Sequence, residues 1–448
     1  MRASYRDNTA PQPKFGMSIR KNTLWNLFGS GAPMLLGLAA LPYLLKEMGV
    51  ERLGVLTLVW ALIGYFSVFD FGLGRALTQK VSELRVKDDG NELVSTVHQG
   101  LRLLAWLGVG GALVLLVLVQ WVDLQWLKIS PELAPDTRQA LLLAAISIPA
   151  TTLTSGLKGV LEGLEQFRRV NVLKLILGLA NFGAPVIAVA IAGPSLTIVV
   201  LGLVVSRTVI WGMHHIAVRQ ALHRRSATEV QLRAARVREL LVFGSWMTLS
   251  NLISPLMVVA DRFIISGLVG VGAVAYYAVP SDMLIKLLIL PAALSTAAFP
   301  AFARLLVSAP KEAASLYRRS TTTVFAVMAP LMTVVALGAH PGLTLWLGAP
   351  FADNAATVVV VLCAGIVLNS VAQISLALAQ GAGYVKQTSL LHLAEFTLYA
   401  PGLYFATLHL GLIGAACAWT TRASVDAVML HVLARRALKA RAAQSAAR

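Results

Sequence analysis

Four basic side chains, Arg207, Arg262, Lys286 and Arg422, lie inside runs that are otherwise almost wholly apolar, with the carboxylates Asp70, Asp261, Asp282, Glu395 and Asp426 in or at the ends of similar runs. A charge at bilayer depth costs about 2.5–3.5 kcal/mol even on insertion scales, so each of these groups needs a reason to be there. Arg207 and Arg422 sit about half-way along their runs, 215 residues apart. A guanidinium stays protonated and its planar fork matches phosphate oxygens, so this pair predicts an anion site. The alternative is an ion pair within the helix bundle. Asp426, four residues after Arg422 and on the same helix face, is the candidate partner there, and Arg207 has no such neighbour. Lys286 follows Asp282 by four residues, which leaves open a cavity cation for the same anion or an intrahelical pair. Asp261 and Arg262 are adjacent, so they point about 100° apart and need partners on other helices. That predicts a brace or a gate. Glu395 and Asp70 are candidates for proton or sodium coupling, the usual work of a buried carboxylate in a carrier. Arg75 and Lys80 offer Asp70 a simpler local pairing.

No resident cofactor or metal is expected. Cys363 and Cys417 lie inside apolar runs and read as small buried hydrophobes. His214, His215 and His223 stand among arginines, a poor metal environment. The sequence has no glycine-rich phosphate loop, no HExxH and no GxSxG elbow, so no enzyme is expected. Without a nucleotide fold, a carrier driven by an ion gradient is the simplest reading.

These groups must be positioned by membrane helices. The 448 residues are 57% hydrophobic and 13% charged, with mean hydropathy +0.72, against about 25% charged in soluble domains. The charges fall between apolar runs long enough to cross ~30 Å of hydrocarbon as helices. Spans are predicted at 22–45, 52–75, 101–122, 139–161, 171–193, 196–218, 240–266, 273–303, 320–347, 355–380, 387–408 and 411–434. The sixth and twelfth each carry one mid-span arginine and follow a tight connection, which suggests a repeat. The predicted fold class is therefore an all-α polytopic membrane protein of about 12 helices in two six-helix lobes related by a pseudo-two-fold axis along the membrane normal. The expected division is an N-terminal arm 1–21, an N-lobe 22–218, a basic linker 219–238, a C-lobe 239–434 and a basic tail 435–448.

The net charge of +17 is accounted for by topology. Thirty of the 38 Lys and Arg fall on the side holding both termini, four on the opposite side and four within spans. This asymmetry predicts cytoplasmic termini and basic loops lying against anionic lipid, with no nucleic acid involved.

The stretch 49–84 resembles the second-helix signature of the polysaccharide transporter branch of the MATE-like (multidrug/oligosaccharidyl-lipid/polysaccharide) superfamily, through Gly54 and the D-x-G-L element at Asp70, Gly72 and Leu73. Asp261 to Ile265, followed by Tyr276 and Tyr277, is similar to the opening of that family's second lobe, and Gly411, Gly414, Ala415 and Ala416 to the start of its last helix. The resemblance implies a flippase of the inner (cytoplasmic) membrane. It would move undecaprenyl-diphosphate-linked oligosaccharide outward for O-antigen, capsule or exopolysaccharide assembly, in the company of polysaccharide polymerase machinery. A lipid II or teichoic-acid-type exporter is the alternative, with a cation-drug antiporter or a membrane glycosyltransferase behind it. A diphosphate headgroup agrees with the basic excess inside the spans.

Overall fold

The computed structural model describes residues 15–66, 73–86, 90–121, 124–222 and 260–446. Those residues form helices α1 (Phe15–Phe66), α2 (Leu73–Val86), α3 (Gly90–Trp121), α4 (Ala134–Ile146), α5 (Ile148–Gly163), α6 (Phe167–Ala192), α7 (Leu196–Leu222), α8 (260–268), α9 (Val271–Lys286), α10 (Ile289–Ser308), α11 (Pro310–Leu337), α12 (Ala339–Leu347), α13 (Ala349–Gly381) and α14 (Val385–Ala446). Asp70, most of the predicted linker 219–238 and most of the seventh span lie outside the described residues.

Two of these helices are each a hairpin of two spans. Gly49 (φ 76°, ψ 166°) breaks α1 and Gly411 (φ 57°, ψ −136°) breaks α14, both in backbone regions that favour glycine. Nine stretches are long and apolar enough to cross a membrane, two of them holding these breaks. They give eleven crossing segments among the described residues, and α8 is the described end of the predicted seventh span. Several predicted limits move: the third span begins at Gly90 and not at 101, and 139–161 and 273–303 are each divided, at Ser147 and at Leu287. The last helix continues through Ala446 instead of ending near 434, because 435–446 holds no helix breaker and Ala434 and Ala437 still pack inward. The predicted span 320–347 is divided at Gly338 into α11 and the short α12.

Packing follows the small residues. A Cβ at Gly159 would lie 2.2 Å from the Gly74 carbonyl oxygen, and one at Gly163 2.8 Å from that of Thr78, so this glycine pair lets α5 lie directly on α2. In the second half α13 packs against α9, α10, α11, α12 and α14. Large apolar side chains such as Trp121, Ile191, Leu337, Leu345 and Leu398 face outward, as a lipid-facing belt requires.

The two halves meet along a seam near the breaks between spans one and two and between spans seven and eight. There a Cβ on Gly54 would fall 2.0 Å from the Val271 carbonyl oxygen. Lys128 Nζ donates to the Leu268 carbonyl (2.5 Å), Ser266 Oγ to that of Leu127 (2.7 Å) and Trp346 Nε1 to that of Leu38 (2.6 Å). On the other side of the seam the halves part.

Candidate functional site

Between the halves lies a cavity of about 910 Å³. α1, α6 and α7 supply one wall, α9, α10 and α13 the other. Two of the three predicted anion-binding residues, Arg207 and Lys286, are on its surface, on opposite walls.

Arg207 stands eleven residues into the 27-residue α7, about 16 Å along the helix. Its Nη2 donates to the neutral Asn181 Oδ1 at 3.2 Å, while its buried Nε has no partner. Lys286, at the end of α9, lies 5.1 Å from the centre of the Phe182 ring and 3.9 Å from Met283 Sδ. Asp282 does not serve as its close partner: Asp282 Oδ1 takes Arg262 Nη2 at 2.6 Å. Lys174, which reads from sequence as a headgroup-facing residue, also lines the cavity. Among the described residues the wall carries Arg207, Lys174, Lys286 and one carboxylate, Asp282, which is bound to Arg262.

Arg422 is elsewhere, and the expectation that it shares the chamber with Arg207 and Lys286 is corrected. Its guanidinium lies 5.6 Å from the Tyr399 ring centre and 5.9 Å from that of Trp419, inside the second half. Nor does Asp426 act as its simple i,i+4 partner: Asp426 Oδ1 is 3.7 Å from His392 Nε2. Neither Arg422 nor Asp426 is among the described residues that line the cavity, and which way a helix turns its side chains is a quantity that residue spacing alone does not fix.

The predicted gating and coupling residues divide by position. Arg262, besides binding Asp282, donates through Nη1 to the Thr57 carbonyl of α1 at 3.0 Å, so it ties the halves at the roof of the cavity. Asp261 points the other way and is fully buried, accepting from Tyr277 Oη (2.9 Å) and Tyr399 Oη (2.8 Å). Glu395 is buried, and both its carboxylate oxygens lack a hydrogen-bond partner. Ligand atoms of His392, Glu395 and Asp426 lie within 4.8 Å of one another. Sequence reading missed His392; its signal was the i,i+3 spacing to Glu395, which places both on one helix face.

The family described as "Polysaccharide biosynthesis protein" matches residues 19–306. The chain belongs to the polysaccharide biosynthesis protein family. A curated relative from Shigella flexneri, named "Putative O-antigen transporter", is 34% identical over 417 residues, which cover 93% of this chain and 98% of that protein. The fold is that of MATE transporters. The inward-facing structure of a multidrug resistance MATE family transporter of the MOP superfamily aligns with TM-score 0.75 at 14% identity, over 95% of this chain and 96% of the other. An outward-facing structure described in the same terms gives 0.65 over the same shares. This is a multi-pass membrane protein with a transporter fold and a relative named as a transporter, not an enzyme family.

Proposed function

We propose that this protein is a flippase that carries undecaprenyl-diphosphate-linked oligosaccharide across the inner membrane by alternating access. The carrying observation is the positive charge that Arg207 and Lys286 bring to one space between the halves, while Asp282, the one carboxylate among the described lining residues, is bound by Arg262. A cavity built for cationic drugs needs the opposite sign. A diphosphate supplies the missing negative charge, and its lipid tail can stay in the bilayer beside the opening.

Arg207 and Lys286 hold the diphosphate, from opposite walls. Arg262, Asp282 and Thr57 close the roof, and opening that seam delivers the cargo to the far side. With both termini cytoplasmic, as the distribution of Lys and Arg supports, the seam is the outer gate. Protection of a tag after Arg448 from protease added outside the cell checks that orientation. Arg422 supports the interior of the second half. Glu395, with Asp426 and His392, is the coupling group, taking up a proton or sodium ion as the halves rock.

The test is transfer of a fluorescent polyprenyl-diphosphate oligosaccharide in proteoliposomes. Wild type is expected to move it at least ten times faster than Lys286→Ala or Arg207→Ala, since a hydrogen bond to a charged group contributes about 1.5–3 kcal/mol. Equal rates in wild type and both variants would overturn the anion-site assignment. No transfer by wild type would overturn the flippase reading.

A further inference from the structure

Arg207 has a second face. Behind it, within the first half, lies a smaller cavity of about 290 Å³, and Arg207 and Leu177 belong to the walls of both spaces. The smaller one is built differently. Besides Arg207, α5 lines it with Thr151, Thr154, Ser155 and Lys158, whose spacing of three, one and three residues puts them on one helix face. A buried arginine beside such a stripe is costly unless it faces a polar occupant.

The hydroxyls are oriented by their own helix. Thr151 Oγ1 donates to the Ser147 carbonyl at 2.9 Å and Thr154 Oγ1 to that of Ala150 at 2.7 Å. Their single protons are spent on the backbone, so what they offer the cavity is lone pairs. The donors come from the two cations. Arg207 lines the niche, and with Nη2 on Asn181 its Nη1 remains. Lys158, half-exposed, reaches Glu162 at 3.6 Å, an exposed pair that leaves its other protons available. The niche therefore combines fixed acceptors with cationic donors. That set matches a sugar ring: hydroxyls that donate to the threonines, and a carbonyl or carboxylate substituent that accepts from Lys158 or Arg207. A purely anionic ligand would leave the threonine oxygens unmatched, and an apolar one would leave all of them so. A cavity of this volume is at the small end of ligand sites, suited to one ring.

We infer that this niche is a sugar subsite: it receives the monosaccharide joined directly to the diphosphate while Arg207, on the shared wall, holds the phosphate. The inference rests on the flippase reading and adds to it. The diphosphate admits any lipid of its class, and the niche selects among them by the first sugar.

The experiment compares two lipids in proteoliposomes, a polyprenyl diphosphate carrying a single acetamido sugar and the same lipid without sugar, and reads the ratio of their transfer rates. In wild type the sugar-bearing lipid is the faster. In the double variant Thr151→Val and Thr154→Val, which keeps side-chain volume and removes both acceptors, the ratio is expected to fall about tenfold, each lost hydrogen bond contributing a factor of a few. The double serine variant restores hydroxyls and is expected to restore the ratio, which a defect of packing alone would not do. A ratio in the valine variant equal to that of wild type overturns the subsite, as does a fall that serine fails to restore. If wild type moves neither lipid, the flippase reading fails first, and the outcome is distinct because no ratio exists to compare.

Discussion

The two halves of this protein each carry an arginine at mid-depth of their sixth span, and they use it in opposite ways. In the first half Arg207 has a neutral partner, Asn181, an unpartnered Nε and two cavities against it. In the second, Arg422 is stacked between Tyr399 and Trp419, in a bundle interior that also contains Asp261, His392, Glu395 and Asp426. On the proposed reading, the charge of Arg207 is available to the cargo. In the second half charges of both signs are enclosed together, the arrangement expected of a brace and an ion site. A repeat in sequence has thus become a division of labour.

The largest expected effect separates these roles directly. Arg207→Ala should leave thermal stability nearly intact, because no buried carboxylate is stranded, while lowering transport at least tenfold. Arg422→Ala should do the reverse first, lowering stability by roughly 2 kcal/mol as a desolvated cation–π contact is lost. Melting temperature and transport measured on both purified variants decide the matter. If the two behave alike, the contrast between the halves is wrong.

Next in size is Glu395→Gln, which keeps shape and removes the charge. Transport driven by an imposed proton or sodium gradient should fall to the rate seen without a gradient, whereas gradient-free exchange should persist. An undiminished response to both gradients would remove Glu395 from coupling and leave the second half a brace alone.

Sequence made much of this visible, and its failures have a common cause. Span positions followed from the length of apolar runs; the break at Gly49 fell in the short connection between the first two, and that at Gly411 on the first residue of the twelfth. Gly54, marked by family resemblance, proved to be a point of backbone contact between the halves. Arg207 and Lys286 stand out because a charge in an apolar run is conspicuous wherever it points. Rotation was not legible. These spans are apolar nearly all round, so no stripe told which way Arg422 or Asp426 faces, or that Asp282 belongs to Arg262 rather than to Lys286. Thr151, Thr154, Ser155 and Lys158 do form a stripe, but hydroxyls in membrane helices so often satisfy their own backbone that spacing alone does not mark a site.

A subtler change supplies Arg207 with a carboxylate. Asn181→Asp places a carboxylate where Arg207 now has an amide at 3.2 Å, so the arginine acquires a permanent counter-ion. Transport should fall several-fold through a raised KM for the lipid diphosphate with kcat little changed, since the anion must now compete with a fixed neighbour for the same protons. A fall confined to kcat would point instead to a role for this pair in the rocking of the halves.

The smallest effect is expected from Asn181→Ala. It removes one neutral acceptor from Arg207 and nothing else, a loss of about 0.5–1.5 kcal/mol in the placement of a side chain that remains charged. If cargo rather than Asn181 is the true partner of that guanidinium, transport should drop no more than a few-fold and KM should move little, because the bound diphosphate itself orients the group. Measuring KM for the lipid substrate in this variant beside Asn181→Asp therefore tests the sign of the effect as well as its size: alanine near wild type with aspartate impaired means that charge matters at this position. Equal impairment in both would mean that Asn181 holds Arg207 in a geometry the cargo cannot impose, and the first half would then be pre-organised as firmly as the second.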